Sequence, residues 1–214
     1  MVKFGINLYK GNPCYVPPLI MGDVKTLRPD KNPAFDFCEA QSFMAYRDGR
    51  PVGSITAIIN RVVNERTGNR DLRFGFLNFI DDREVVDSLF KAAEDWGRQR
   101  GMTSMVGPMG FTDMDHEGML IEGFDELGTM ATIYNYPYYP AHMERMGFVK
   151  DVDWVEYRMT VPVAVPEKYM RIADTVSYTH LRSKSRMNTA RRYSTSSTKP
   201  TTAYTATHPS RNAR

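Results

Sequence analysis

The chain has 214 residues, 42% hydrophobic, 12% aromatic and 25% charged, which suits a folded domain with a real core and excludes collagen-like or wholly disordered chains. The formal net charge of +3 is unevenly spread: the last acidic residue is Asp174, and the eight Lys or Arg beyond it leave residues 1–174 with 20 basic against 25 acidic residues. The body is therefore acidic and only the tail is basic, so charge-driven nucleic-acid binding would rest on the tail alone.

Apolar runs such as Phe74 to Ile80 are too short to span a bilayer, and no charged-then-apolar leader opens the chain, so a cytoplasmic protein without membrane contact is expected. Cys14 and Cys38 lack CxxC spacing and read as two buried thiols rather than a disulfide framework or a zinc site.

In chain order, Tyr15 to Ile20 is a proline-fixed, irregular entry. Phe43 to Tyr46 is a strand, Asp48-Gly49 a hairpin signal, and Val52 to Val63 a second strand rich in β-branched residues. A polar turn over Asn64 to Asn69 leads to a third strand, Leu72 to Ile80, apolar enough to be buried on both faces. Asp81-Asp82-Arg83-Glu84 opens a helix, placing carboxylates where free N–H groups and the positive dipole end favour them. Val85, Val86, Leu89, Phe90, Ala93 and Trp96 continue it at helical spacing to Gly101. Thr103 to Gly107 is a short strand, Pro140 to Met146 a second helix, Asp153 to Val161 a closing strand, and Pro166 to Val176 one more helix.

This divides the chain into a domain over 1–165, a linker helix over 166–177 and a disordered basic tail over 178–214. Sixteen of the last forty residues are Ser or Thr, and so few large aliphatics cannot offset the entropy of ordering. The tail has two further readings. One is a nucleic-acid arm. The other is a shifted reading frame: with each codon's last base joined to the first two of the next, residues 193–214 can be reread as VFNLINEAYNRLYGYTPLTER, an amphipathic helix followed by a turn.

Two stretches concentrate chemistry. Phe111 to Gly118 gathers Asp113, Asp115, His116 and Glu117, but the spacing fits neither HExxH nor a calcium loop, and no metal is expected; the plain reading is a solvated loop with Asp-capped turns. Tyr134-Asn-Tyr-Pro-Tyr-Tyr-Pro140 is a stiff aromatic wall edged with hydroxyls, suited either to a ligand pocket or to packing against the acidic loop. Nucleophile-triad, GxxxxGK and GxGxxG patterns are absent, which argues against hydrolase, P-loop and Rossmann functions.

The order hairpin, strand, capped helix, short strand, short helix ending in Met-Glu-Arg-Met-Gly-Phe148, then strand, resembles the GNAT superfamily of acetyl-CoA-dependent N-acyltransferases. Gly11-Asn-Pro with Tyr15-Val-Pro-Pro, Lys31-Asn-Pro-Ala-Phe35, Phe79-Ile-Asp-Asp82, Gly107-Pro-Met-Gly-Phe-Thr-Asp113 and Glu122-Gly-Phe-Asp-Glu-Leu-Gly128 resemble a bacterial GNAT-related family of nearly twice this length. The resemblance covers about residues 3 to 175. It implies an α/β fold with a mixed, mostly antiparallel central sheet flanked by helices, and acetyl transfer from acetyl-CoA to a small-molecule amine by direct attack. A homodimer stays open, nucleic acid is not an expected partner, and a non-catalytic binding module of the same fold is the alternative.

The resemblance also implies roles for residues. In GNAT proteins two neighbouring strands, here Leu72 to Ile80 and Thr103 to Gly107, splay to admit the acyl-pantetheine arm, and backbone N–H groups at the next helix hold the pyrophosphate. Phe79, Ile80, Asp82 and Arg83 are then the cofactor-binding candidates. The usual Gly-rich loop is replaced by Asp81-Asp82-Arg83-Glu84-Val85, whose three carboxylates repel a pyrophosphate, so acetyl-CoA binding by this half alone is not expected. Met143 stands where a tyrosine acid is usual, which leaves Tyr138 and Tyr139 as catalytic candidates and Asn135, Tyr136 and Asp113 as substrate-binding ones. In the longer relatives a second GNAT-like half follows, where the usual cofactor loop is expected; the reread tail resembles its beginning. The expected outcome is weak or absent activity for a chain holding the first half, whose start leaves little room for the usual first strand.

Overall fold

A computed structural model describes residues 1–157, 159–160, 163–175 and 202–209. Two units emerge. One joins Met1–Val155 to the stretch from Thr201 onward, and the other is Glu156–Pro200.

The first unit is built on a mixed sheet. Strand β1 (Cys38–Arg47) turns at Asp48 and Gly49, both at positive φ, into β2 (Arg50–Asn60), the mirror-image turn that matches strand twist. β2 pairs with β3 (Asp71–Phe79), and β3 runs parallel to β4 (Ser104–Gly107). β5 (Leu120–Glu122) and β6 (Val149–Val155) lie beyond. The seventh strand, β7 (Thr202–Pro209), pairs antiparallel with β4, β5 and β6, giving the order β1-β2-β3-β4-β7-β5 with β6 also on β7. The fold is thus α/β, with a sheet antiparallel in every pair except β3–β4.

Strand β7 falls within the stretch expected to be disordered, and the rest of 178–214 lies outside the described residues. Within 202–209 the Thr-rich sequence has strand propensity, and β7 joins the sheet by backbone pairing with β4 and β6.

Helices cover the sheet. α1 (Val2–Leu8) and α2 (Ile20–Thr26) precede β1, α3 (Arg61–Thr67) follows β2, α4 (Arg83–Arg98) links β3 to β4, and α5 (Tyr138–Arg145) precedes β6. The entry expected to be irregular is so from Tyr15 to Leu19, with α1 before it and α2 beginning at Ile20; α3 takes the last three residues of the expected second strand and the start of the expected polar turn, where Asn60 accepts from the Val63 N–H at its start and Gly68 closes it in the left-handed conformation. α4 is the helix its periodicity predicts. Val85, Val86, Leu89, Phe90 and Ala93 are buried against the sheet, each of the larger ones contributing roughly 1.5–3 kcal/mol. The second unit holds α6 (Glu167–Thr175), on the predicted linker helix. Among the described residues, no helix is long and apolar enough to cross a membrane.

Candidate functional site

Strands β3 and β4 pair over three residues, Asp71 with Ser104, Leu72 with Met105 and Arg73 with Val106; there the ladder ends, although the segment leaving β4 stays against β3, with the Met109 N–H donating to the Phe74 carbonyl at 2.8 Å. Two features end the ladder. β4 ends at Gly107-Pro108, where proline cannot continue the ladder. β3 carries a bulge: Ser54 faces Asn78 and Thr56 faces Gly75, so Phe76 and Leu77 share one partner position, with Phe76 at φ +47. A non-glycine residue held there stores about 1–3 kcal/mol of strain, which surrounding packing must offset.

Beside the bulge lies a cavity of about 440 Å³, large enough for a small organic ligand. Phe76, Leu77 and Asn78 form one wall and Met119, Met130 and Ile133 contribute apolar surface. Tyr9, Tyr15, Tyr134 and Tyr139 supply an aromatic wall. The rings of Tyr9 and Tyr15 lie 4.7 Å apart, those of Tyr9 and Tyr134 5.6 Å, and those of Tyr15 and Tyr134 6.1 Å.

The tyrosine hydroxyls are tied to backbone and to one another. Tyr139, 1% exposed, accepts from the Phe79 N–H at 3.0 Å and from the Tyr9 hydroxyl at 2.9 Å. Tyr138 donates to the Phe79 carbonyl at 2.7 Å, and Tyr136 to the Leu8 carbonyl at 3.2 Å. Burial pushes the Tyr139, Tyr138 and Tyr9 phenols well above their ordinary range. It pushes Tyr15 up to about 12, with the nearby charge of Asp23 adding to the effect.

The candidates from the sequence now have places: Ile80 packs against the core with its N–H donating to the Val52 carbonyl at 3.1 Å. Tyr139 lines the cavity; Tyr138 points its hydroxyl at Phe79 and is not among the lining residues. Asn135 also lines it, but its amide is spent on the N–H and carbonyl of Leu120, at 2.7 and 3.0 Å, fixing β5. Tyr136 stacks on Tyr138, and Asp113 stays exposed on its turn, while its neighbours Asp115 and His116 reach the cavity. Phe79 has both backbone groups occupied by tyrosine hydroxyls.

The start of α4 is equally occupied. Asp82 caps the Val85 N–H at 3.1 Å and takes two hydrogen bonds from Arg47 at 2.7 and 3.2 Å; Arg47 also reaches Glu84 at 3.0 Å. The Arg47 hydrogen bonds come first, and the Val85 N–H next, in holding the Asp82 carboxyl down at about 2. Arg83 leans on Asp87 at 3.5 Å, and His142 meets Asp81 at 2.9 Å. A diphosphate arriving here would meet carboxylates and a capped helix end, so these residues do not fit the pyrophosphate of acetyl-CoA. Among the described residues, no three His, Cys, Asp or Glu side chains come together as metal ligands.

Sequence reasoning missed Tyr9, Tyr15 and Asp23 as cavity residues. The available signal was the pair of tyrosines flanking Gly11-Asn-Pro, a turn that folds them together; Asn12 completes the join by donating to the Tyr134 hydroxyl at 2.8 Å.

No family model matches the chain. It is 35% identical over 158 residues to Protein YghO of Escherichia coli (strain K12), covering 74% of this chain and 40% of that protein. It is 36% identical over 157 residues to the bacterial ceramide synthase of Caulobacter vibrioides, covering 73% and 41%. The chain thus spans about two fifths of the length of these curated relatives. Among solved structures, a tandem GNAT protein from the clavulanic acid biosynthesis pathway aligns with 91% of this chain and 60% of its own, at a TM-score of 0.48 and 16% identity. An acetyltransferase from Bacillus cereus aligns with 63% and 73%, at 0.32 and 14%.

Proposed function

We propose that this chain is the acceptor-binding, GNAT-type part of an N-acyltransferase, a protein that joins an acyl group to an amine, and that alone it is weakly active or inactive. One observation carries this reading: the β3–β4 ladder ends after three residues, and beyond it an aromatic cavity of about 440 Å³ lies beside the strained bulge at Phe76. The observed order of elements is the one on which the resemblance to GNAT proteins rests. The similarity to a protein named bacterial ceramide synthase points the same way, since ceramide is itself an amide of a long-chain amino alcohol.

Within this reading, the cavity side holds the amine and Tyr139, one of the residues lining it, is the candidate proton donor. With its oxygen already accepting from Phe79 and Tyr9, the Tyr139 proton is left with only a 3.5 Å contact to the Phe79 carbonyl. Because the start of α4 does not fit a pyrophosphate, the acyl donor's nucleotide end is assigned to another part of the longer protein. That same occupied helix start favours a second reading, a non-catalytic ligand-binding module of this fold.

The test is incubation of the full chain with acetyl-CoA and a panel of primary amines, followed by thiol release and mass spectrometry of the amide. Amide formed above the uncatalysed rate and saturable in amine supports acyl transfer. Saturable amine binding with no amide supports the binding module, and neither result leaves no place for either reading.

A further inference from the structure

The cavity carries one side chain that the fold does not use. Asp23, on α2, is half-buried in its wall and its carboxylate makes no hydrogen bond or ion pair among the described residues. Its backbone is spent in the helix, accepting from the Leu27 N–H at 3.1 Å, but the side chain is left over. Burial raises its pKa above the ordinary carboxylate range. His116 acts in the opposite sense from across the cavity, yet its ring nitrogen is 3.1 Å from the Met130 carbonyl rather than on Asp23. A half-buried carboxylate without a partner is costly to keep, and a cationic ligand would offset that cost.

The rest of the lining has the same preference. Asp115, which accepts from the Thr112 N–H at 3.0 Å, is a second carboxylate on the cavity, and among the described residues no Lys or Arg lines it, so carboxylates dominate its field. The half-buried rings of Tyr15 and Tyr134 line the cavity and offer aromatic surface on which an alkylammonium can rest by cation–π contact, backed by the buried ring of Tyr9. The remaining surface, from Phe76, Met119, Met130 and Ile133, asks for hydrocarbon.

We propose that this cavity binds a protonated primary amine carried on an apolar body, with the carboxylate of Asp23 as the anchor for its ammonium group. The inference rests on the acceptor-binding reading and adds to it the anchoring residue and the charge state in which the amine is captured. The anchor holds the amine; it takes no part in bond making.

The probes are hexylamine, 1-heptanol and heptanoate, chains of six or seven carbons that differ chiefly in the head group, titrated calorimetrically into the full chain and into Asp23→Asn and Asp23→Ser. Hexylamine is expected to bind, the alcohol at least tenfold more weakly and the carboxylate not at all. Both variants are expected to keep the circular dichroism spectrum of the parent, since Asp23 supports no internal bond, and to lose hexylamine affinity at least tenfold. Equal affinity for 1-heptanol, no binding of hexylamine, or hexylamine binding undiminished in a folded Asp23 variant overturns the assignment. The two proposals fail separately. Hexylamine captured through Asp23 but never acylated sinks the transferase reading and keeps the anchor; amide formed as well by Asp23→Asn at subsaturating amine sinks the anchor and keeps the transferase.

Discussion

The guanidinium of Arg47, at the end of β1, holds the carboxylate of Asp82 by two hydrogen bonds of 2.7 and 3.2 Å across thirty-five residues of sequence. Asp82 is at once an ion-pair partner and the cap of α4, so the two roles can be separated by substitution. Its pKa in the folded chain is about 2, below the roughly 3.9 of an unfolded aspartate. A depressed pKa means stability that is present above about pH 4 and is lost as the pH falls toward 2. Thermal melting of the parent and Asp82→Asn at several pH values should therefore show a gap at neutral pH that closes on acidification and narrows in high salt. Asp82→Ala should melt lower still, because asparagine keeps a capping oxygen and alanine does not. A gap that does not change with pH would show that Arg47 adds nothing to the cap.

The same pair bears on acyl-CoA. Calorimetric titration with acetyl-CoA is expected to show no micromolar binding by the 214-residue chain, because the Asp82 and Glu84 carboxylates face any incoming phosphate while Arg47 is already engaged with both. Replacing both, as Asp82→Ser with Glu84→Gln, keeps a cap and frees the arginine, and should tighten binding by about fivefold or more for each charge removed. Micromolar affinity in the unaltered chain would show that the nucleotide end is accommodated here after all.

Much of this fold is legible from local pattern and some of it is not. α4 announces itself because Val85, Val86, Leu89, Phe90 and Ala93 repeat at helical spacing behind a capping aspartate, and the β1–β2 hairpin because Asp48-Gly49 needs positive φ at both positions. α1 and α2 have seven residues each and glycine within them, too short and too weak in propensity to stand out; tertiary packing makes them. At the site, the tyrosine run 134–139 was readable as a wall, but Tyr9 meets Tyr139 across 130 residues, and no local spacing encodes such a contact. Asp23 was missed for the same reason.

The tyrosine wall makes a prediction about stability. Tyr139→Phe removes the oxygen that satisfies the buried Phe79 N–H and receives the Tyr9 hydroxyl, leaving two buried donors without a partner. The expected loss is about 1–3 kcal/mol by urea unfolding. Tyr138→Phe gives up a single bond to the Phe79 carbonyl on a half-buried ring, and should cost nearer to 1 kcal/mol, given roughly 0.5–1.5 for a typical bond. Equal losses in the two variants would mean that the hydroxyl of Tyr139 is not what secures Phe79.

A second pair of substitutions tests how tightly the segment leaving β4 is held against β3. Gly75 precedes the bulge, and a Cβ there would overlap the carbonyl oxygen of Met109, in the segment leaving β4, whose N–H in turn donates to the Phe74 carbonyl at 2.8 Å. A backbone carbonyl has no rotamer to move, so Gly75→Ala forces the two segments apart and should cost at the upper end of the usual 1–3 kcal/mol for overpacking, or about 3 kcal/mol. Gly22→Ala in α2 is the comparison: the added methyl meets only the Leu19 Cβ at 3.8 Å, and alanine is the better helix former by about 0.8–1 kcal/mol. The two changes add the same atom and are expected to move the urea midpoint in opposite directions. Should Gly75→Ala unfold at the parent's midpoint, the segment after β4 is free to withdraw, and the cavity beside Phe76 has a wall that yields to its ligand rather than one fixed before it arrives.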